Sequence, residues 1–97
     1  MAVVLTPRER AQLKARAHAL DPVVHVGQAG VSDTVAAEVD RALTAHELIK
    51  VKLADKDRAI REAAGAALAE HTDAAIVQRV GRVLVLWRPK PETDEAD

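Results

Sequence analysis

The sequence predicts an α/β fold of the two-layer α+β type, ordered α-β-α-β-α-β-β, with a four-stranded mixed sheet and helices mainly on one face. Three observations predict it. Apolar residues recur at helical spacing in some stretches and at strand spacing in others, and the two kinds alternate along the chain. A glycine at Gly81 turns the last two strand-like runs into a hairpin, whereas the earlier strand–helix–strand order demands parallel pairing through a right-handed crossover. Basic residues occupy alternate positions in the strands at Leu48–Leu53 and Val83–Arg88, which a sheet covered on both faces would not tolerate.

The first helix starts at Thr6. Thr6-Pro7-Arg8-Glu9 supplies a cap, a proline at the first helical position and a glutamate in the capping-box place. Leu13, Ala17 and Leu20 can line its inner side, and Asp21-Pro22 stops it. Val23–Val26 is a short strand buried on at least one face. A second helix, capped by Ser32, runs from about Asp33 to Ala45, with Val35, Val39, Ala42, Leu43 and a partly buried His46 at helical spacing. In the next strand Ile49, Val51 and Leu53 take one face, and Leu48, Lys50 and Lys52 take the other. After a loop at Ala54–Asp57, the third helix runs from about Arg58 to His71 with Ile60, Ala64, Ala67 and Leu68 as its inward stripe. Gly65 weakens that helix by ~1 kcal/mol relative to alanine. A close helix–sheet contact is the reason to keep a residue without a side chain there. Ala74–Val80 and Val83–Arg88 are the last strands, and Pro89 ends the sheet.

The chain has 97 residues, 48% of them apolar, which suffices for one small domain burying somewhat over ~60% of its unfolded surface. It has no cysteine, so disulfides, thiolate metal sites and a cysteine nucleophile are all excluded. Its start is too short an apolar run for a signal peptide, and no stretch approaches the ~18 apolar residues of a membrane span. A cytoplasmic protein without a membrane partner is expected. The net charge is −1, but residues 89–97 hold one lysine against four acids, which leaves residues 1–88 at +2. The expectation is one domain over residues 1–90 and an acidic, disordered tail over 91–97.

Catalysis is not expected. Ser32 is the only serine and sits where a cap belongs. The histidines His18, His25, His46 and His71 show no i, i+4 pair, and His46-Glu47-Leu48-Ile49-Lys50 breaks the helical zinc pattern at its last position. His18 and His46 read as helix-end residues, and His25 as a strand residue that packs. Neither a cofactor, a metal nor a small-molecule substrate is implied.

The most informative stretch is Val23 to Ala36. A β-branched run ends in Gly27-Gln28-Ala29-Gly30, and a capped helix follows at once. Glycines three apart let the backbone turn and let a large ligand approach the main chain, while the helix that follows aims its free N–H groups at the loop. A tight turn is the competing explanation. The third glycine of a dinucleotide fingerprint is missing, because position 33 is Asp, and Val31-Ser32 replaces the Lys-Ser/Thr of a phosphate-binding loop. What remains is the G-x-x-G type that clamps a single-stranded RNA backbone. Lys50 and Lys52 share a strand face and could follow a phosphate path, as could Arg82 and Arg88, which share parity with Leu84 and Leu86. A solvated charged face is the bland alternative. Trp87 is the only aromatic residue and shares parity with Val83 and Val85, which makes it core and leaves little base stacking.

Three blocks resemble the CRM domain, the chloroplast RNA splicing and ribosome maturation module: Leu13–Gly30, with Asp21-Pro22-Val23-Val24-His25-Val26-Gly27-Gln28-Ala29-Gly30; His46–Lys52; and Gly81–Pro89. Together they span roughly residues 5–90, and a single domain of this size is similar to the bacterial YhbY-type members. The resemblance implies a fold like the C-terminal domain of a bacterial translation initiation factor, RNA binding, and association with ribosomal RNA or large-subunit precursors. It makes Gly27, Gln28, Ala29 and Gly30 the clamp, with Lys14, Lys50 and Lys52 as basic partners and Arg82 and Arg88 beside them. Two features depart from the family pattern: the loop carries no cation, and the tail is acidic. A protein-interaction adaptor on the ribosome, with RNA contact incidental, is the alternative; an enzyme acting on a phosphorylated small molecule would lack a general base near the loop.

Overall fold

The computed structural model describes residues 4–28 and 30–89. Ala29 and the proposed tail, with the domain boundary before it, lie outside the described residues. The elements follow the expected order: α1 (Pro7–Ala17), β1 (Pro22–Val26), α2 (Asp33–His46), β2 (Leu48–Leu53), α3 (Arg58–Thr72), β3 (Ala75–Val80) and β4 (Val83–Trp87). The strands form one sheet in the order β1-β2-β4-β3. β1 and β2 are parallel, while β4 runs antiparallel to both of its neighbours.

Local chemistry sets the helix starts. The Thr6 hydroxyl accepts from the Glu9 amide at 3.1 Å, and the Glu9 carboxylate accepts from the Thr6 amide at 2.9 Å. The Ser32 hydroxyl accepts from the Val35 amide at 3.2 Å. The Asp57 carboxylate accepts from the amides of Ala59 and Ile60 and opens α3. α1 ends at Ala17, ahead of Asp21-Pro22, with His18 as its C-terminal cap.

The two faces of the sheet are covered differently. α2 and α3 close one face, where Val39, Leu43, Leu68 and Ala69 pack on Val24, Val26, Ile49, Val51, Leu53, Leu84 and Leu86. α1 crosses the other, where Leu13 and Ala17 pack with Leu5 on Leu48, Ala75, Val77 and Val85, and Trp87 is partly buried against them.

Four expectations are corrected. The buried stripe of α3 is Gly65, Leu68, Ala69 and Thr72, while Ile60 is 50% exposed and Ala67 faces out. The helix is rotated because Gly65 lets it settle on Leu84: a Cβ there would lie 3.3 Å from Leu84 Cδ2. That contact is the one expected of this glycine. In α2 the buried residues are Ala36, Val39 and Leu43; His46 is exposed at the helix end. On α1, Leu20 lies past the helix and is exposed. His25 is also exposed, because Val24 and Val26 take the inward positions of β1.

Candidate functional site

One end of the sheet gathers the loops. β1 and β2 finish side by side, with the Ala54 amide donating to the Val26 carbonyl at 2.9 Å. The β3–β4 turn reaches the same end, where the Leu53 amide donates to the Arg82 carbonyl at 2.7 Å. The Gly27–Gly30 loop therefore stands next to the N-terminus of α2, the segment entering α3, and the Gly81-Arg82 turn. Its own backbone closes a turn, with the Gly30 amide donating to the Gly27 carbonyl at 3.0 Å. Gly30 needs to be glycine for that turn, since its φ is +89°. Gly27 does not: its φ is not positive, and a Cβ on it would meet nothing within 4 Å. A Cβ on Gly30 would likewise meet nothing within 4 Å, and Gly27, Gln28 and Gly30 share a small crevice with Leu53, Asp55, Ile60 and Arg61. One N–H of the expected clamp, that of Gly30, is spent inside the turn.

The predicted cations separate. Lys50 and Lys52 lie on the α1 side of the sheet, Lys50 half-buried and Lys52 exposed. Lys14 and His18 of α1 join Lys50, Gln78 and Val80 around one shallow groove. α1 covers the far part of this face, over Leu48 and Trp87, and leaves bare the part nearer the glycine loop. His25 is aligned with Lys52 across β1 and β2 and adds to that bare area. Lys14, Lys50 and Lys52 thus share one surface that leads to the loop. Arg82, in the β3–β4 turn, is exposed at the same end.

Arg88 is elsewhere. It follows β4 on the parity of Leu84 and Leu86 and therefore enters the α2–α3 side. Its Nη1 donates to Asp40 Oδ1 at 2.7 Å and to the Thr72 carbonyl at 2.8 Å. Its Nη2 donates to the Asp40 carbonyl at 3.1 Å and to Thr44 Oγ1 at 2.9 Å. The side chain is 18% exposed. Arg88 is a strut that ties β4 to α2 and α3, and the structure does not bring it to the loop.

Sequence reasoning missed three arginines at the loop end: Arg58, Arg61 and Arg79. Arg79 escaped because alternation along β3 is broken. The pairing with β4 shifts register between Ile76 and Gln78, so Gln78 joins the α1 face and Arg79 emerges on the α3 side. Such a bulge leaves no trace in the residue pattern. Arg10 of α1 caps this irregular edge, with Nη1 donating to the carbonyls of Ile76 and Val77.

These features define a class: a small α/β domain that presents a glycine turn and exposed cations at one end of a partly bare sheet. A model of the CRS1 / YhbY (CRM) domain matches residues 5–88, and the chain belongs to that family. It is 44% identical over 88 residues to an RNA-binding protein of Haemophilus influenzae, covering 91% of this chain and 89% of that one. It is 37% identical over 93 residues to a probable RNA-binding protein of Pseudomonas aeruginosa, covering 96% and 89% respectively. The fold is also that of a Staphylococcus aureus protein whose solution structure is described as a candidate RNA-binding protein, with a TM-score of 0.81 at 28% identity over 95% of this chain and 96% of that one. Among the described residues no helix is long and apolar enough to cross a membrane.

Proposed function

We propose that this protein is a non-enzymatic RNA-binding protein whose target is ribosomal RNA in large-subunit (50S) precursors. RNA is captured at Gly27-Gln28-Ala29-Gly30, and the adjoining surface with Lys14, Lys50, Lys52 and Arg82 neutralises phosphates. The observation that carries this reading is the continuity of an open glycine loop with a bare, lysine-bearing part of the sheet. Family membership and relatives named for RNA binding support it. So does Gly27, whose lack of a side chain has no cause within the fold: its backbone does not need one absent, and the space beside it is empty. A strand passing close to the main chain supplies that cause. Trp87, the only aromatic residue of the chain, is partly buried against the α1 cluster, so backbone, shape and charge do most of the recognition.

Neutralising about four phosphates on a single strand gives a fall of log K with log salt of slope roughly −3. Gly27→Asp tests the capture. It places a side chain and a negative charge where the strand passes, and it avoids the strain that any substitution meets at Gly30. Affinity for ribosomal RNA fragments at fixed salt is expected to collapse while the urea midpoint stays at the wild-type value. Unchanged affinity in the folded variant removes the loop from the site.

One observation favours an adaptor role as a second reading. At the opposite end of the molecule Leu20, Val23, Leu48 and Ile49 line an apolar groove with Arg16, Asp21 and His46. Co-sedimentation with large-subunit particles that survives nuclease digestion would select this reading over the first.

A further inference from the structure

The α3 side of the loop end holds a cleft of about 250 Å³ lined by Arg58, Arg61 and Arg79, with Leu53, Val83 and Leu84 beneath them. We infer that this cleft is a second anion site, on the far side of the sheet from the lysines, and that it takes a phosphodiester group of the RNA strand after that strand leaves the glycine loop. The inference rests on the RNA-binding reading above.

The cleft and the loop are continuous, because Arg61 and Leu53 line both. Arg61 is already fixed: its Nη1 donates to the carbonyls of Asp55 at 3.0 Å and Lys56 at 2.8 Å, which leaves the Nε and Nη2 donors for a ligand. A guanidinium held in place loses less freedom when it binds. Arg79 is exposed and has no protein partner among the described residues. Arg58 is paired through Nε with Glu62 at 3.1 Å, so one carboxylate stands among three cations and the cleft keeps a positive excess. The volume also decides the kind of ligand. It lies below the ~300–1,000 Å³ of pockets that enclose a free cofactor or metabolite, and it suits one phosphate and its sugar on a longer chain. With Arg82 at the intervening turn, basic groups then line both sides of the sheet end. The strand wraps that end and does not simply lie along the lysine face.

Arg79→Ala tests the site, with Arg41→Ala as the control. Arg41 is exposed on α2, outside the cleft, and its loss changes net charge equally. Binding of a fluorescent single-stranded ribosomal RNA fragment is followed by anisotropy over a range of salt. Loss of one phosphate contact is expected to make the salt slope shallower by about 0.7 and, at about 0.1 M salt, to weaken binding about fivefold. Arg41→Ala is expected to bind as wild type, and Arg79→Lys to recover most of the loss. If Arg79→Ala matches Arg41→Ala while Gly27→Asp abolishes binding, the cleft proposal is overturned and the loop stands. If the wild-type protein fails to bind RNA, the underlying reading falls and the cleft falls with it.

Discussion

Arg88 and Lys52, on opposite faces of this sheet, are used in opposite ways. Arg88 leaves β4 on the side closed by α2 and α3, and its guanidinium donates to Asp40, Thr44 and Thr72. Lys52 leaves the adjacent strand on the side that α1 only partly covers, and it is exposed. Both are basic residues near a strand end, and in the sequence they look alike. What separates them is the helix standing beyond the face into which each projects. Beneath the packed helices a cation such as Arg88 becomes a structural tie, whereas Lys52, and Arg79 at the loop end of the α2–α3 face, stay exposed.

That contrast can be broken or sharpened by substitution. The largest effect belongs to the closed face. Arg88→Ala removes the donor to the carbonyl of buried Thr72 and the link to Thr44, and should cost about 2 kcal/mol of stability. The Asp40 pair adds little to this, since that carboxylate is 57% exposed. Urea denaturation measures the loss, and a midpoint equal to wild type would mean that Arg88 is not a strut. Next comes the start of α1, the only helix on the half-covered face among the described residues. Thr6→Ala deletes the capping-box acceptor and should cost about 1 kcal/mol. The smallest stability effect belongs to the bare face. Lys52→Ala should change stability by less than about 0.5 kcal/mol, yet make the salt slope of RNA binding shallower by about 0.7. A stability loss at Lys52 comparable to that at Arg88 would erase the distinction between the faces.

How legible each part was follows from how local its cause is. The caps at Thr6 and Ser32 could be read because a hydroxyl and the amide it accepts from lie three residues apart. The alternation in β2 correctly placed Lys50 and Lys52 opposite Ile49, Val51 and Leu53. Gly65 was legible as a point of close approach, but its partner Leu84 was not, and the rotation of α3 follows from that partner. The same limit applies to Arg88: parity gave its face, whereas its acceptors come from two helices distant in sequence. Arg79 was hidden by the bulge in β3, a feature of pairing with β4 that leaves no mark on β3 alone. For the glycine loop, spacing gave its position and flanks, but not that Gly30 requires glycine for its φ while Gly27 does not, since that depends on how the folded backbone turns.

The most direct measurement is an amide chemical-shift titration of the full chain with single-stranded ribosomal RNA. Resonances of Gly27, Gln28, Gly30, Lys50, Lys52 and Arg82 should move together and saturate at one RNA concentration, while those of Arg41 and His46 on α2 stay still. Movement confined to the groove around Leu20 and Val23, with the glycine loop unaffected, would contradict the account.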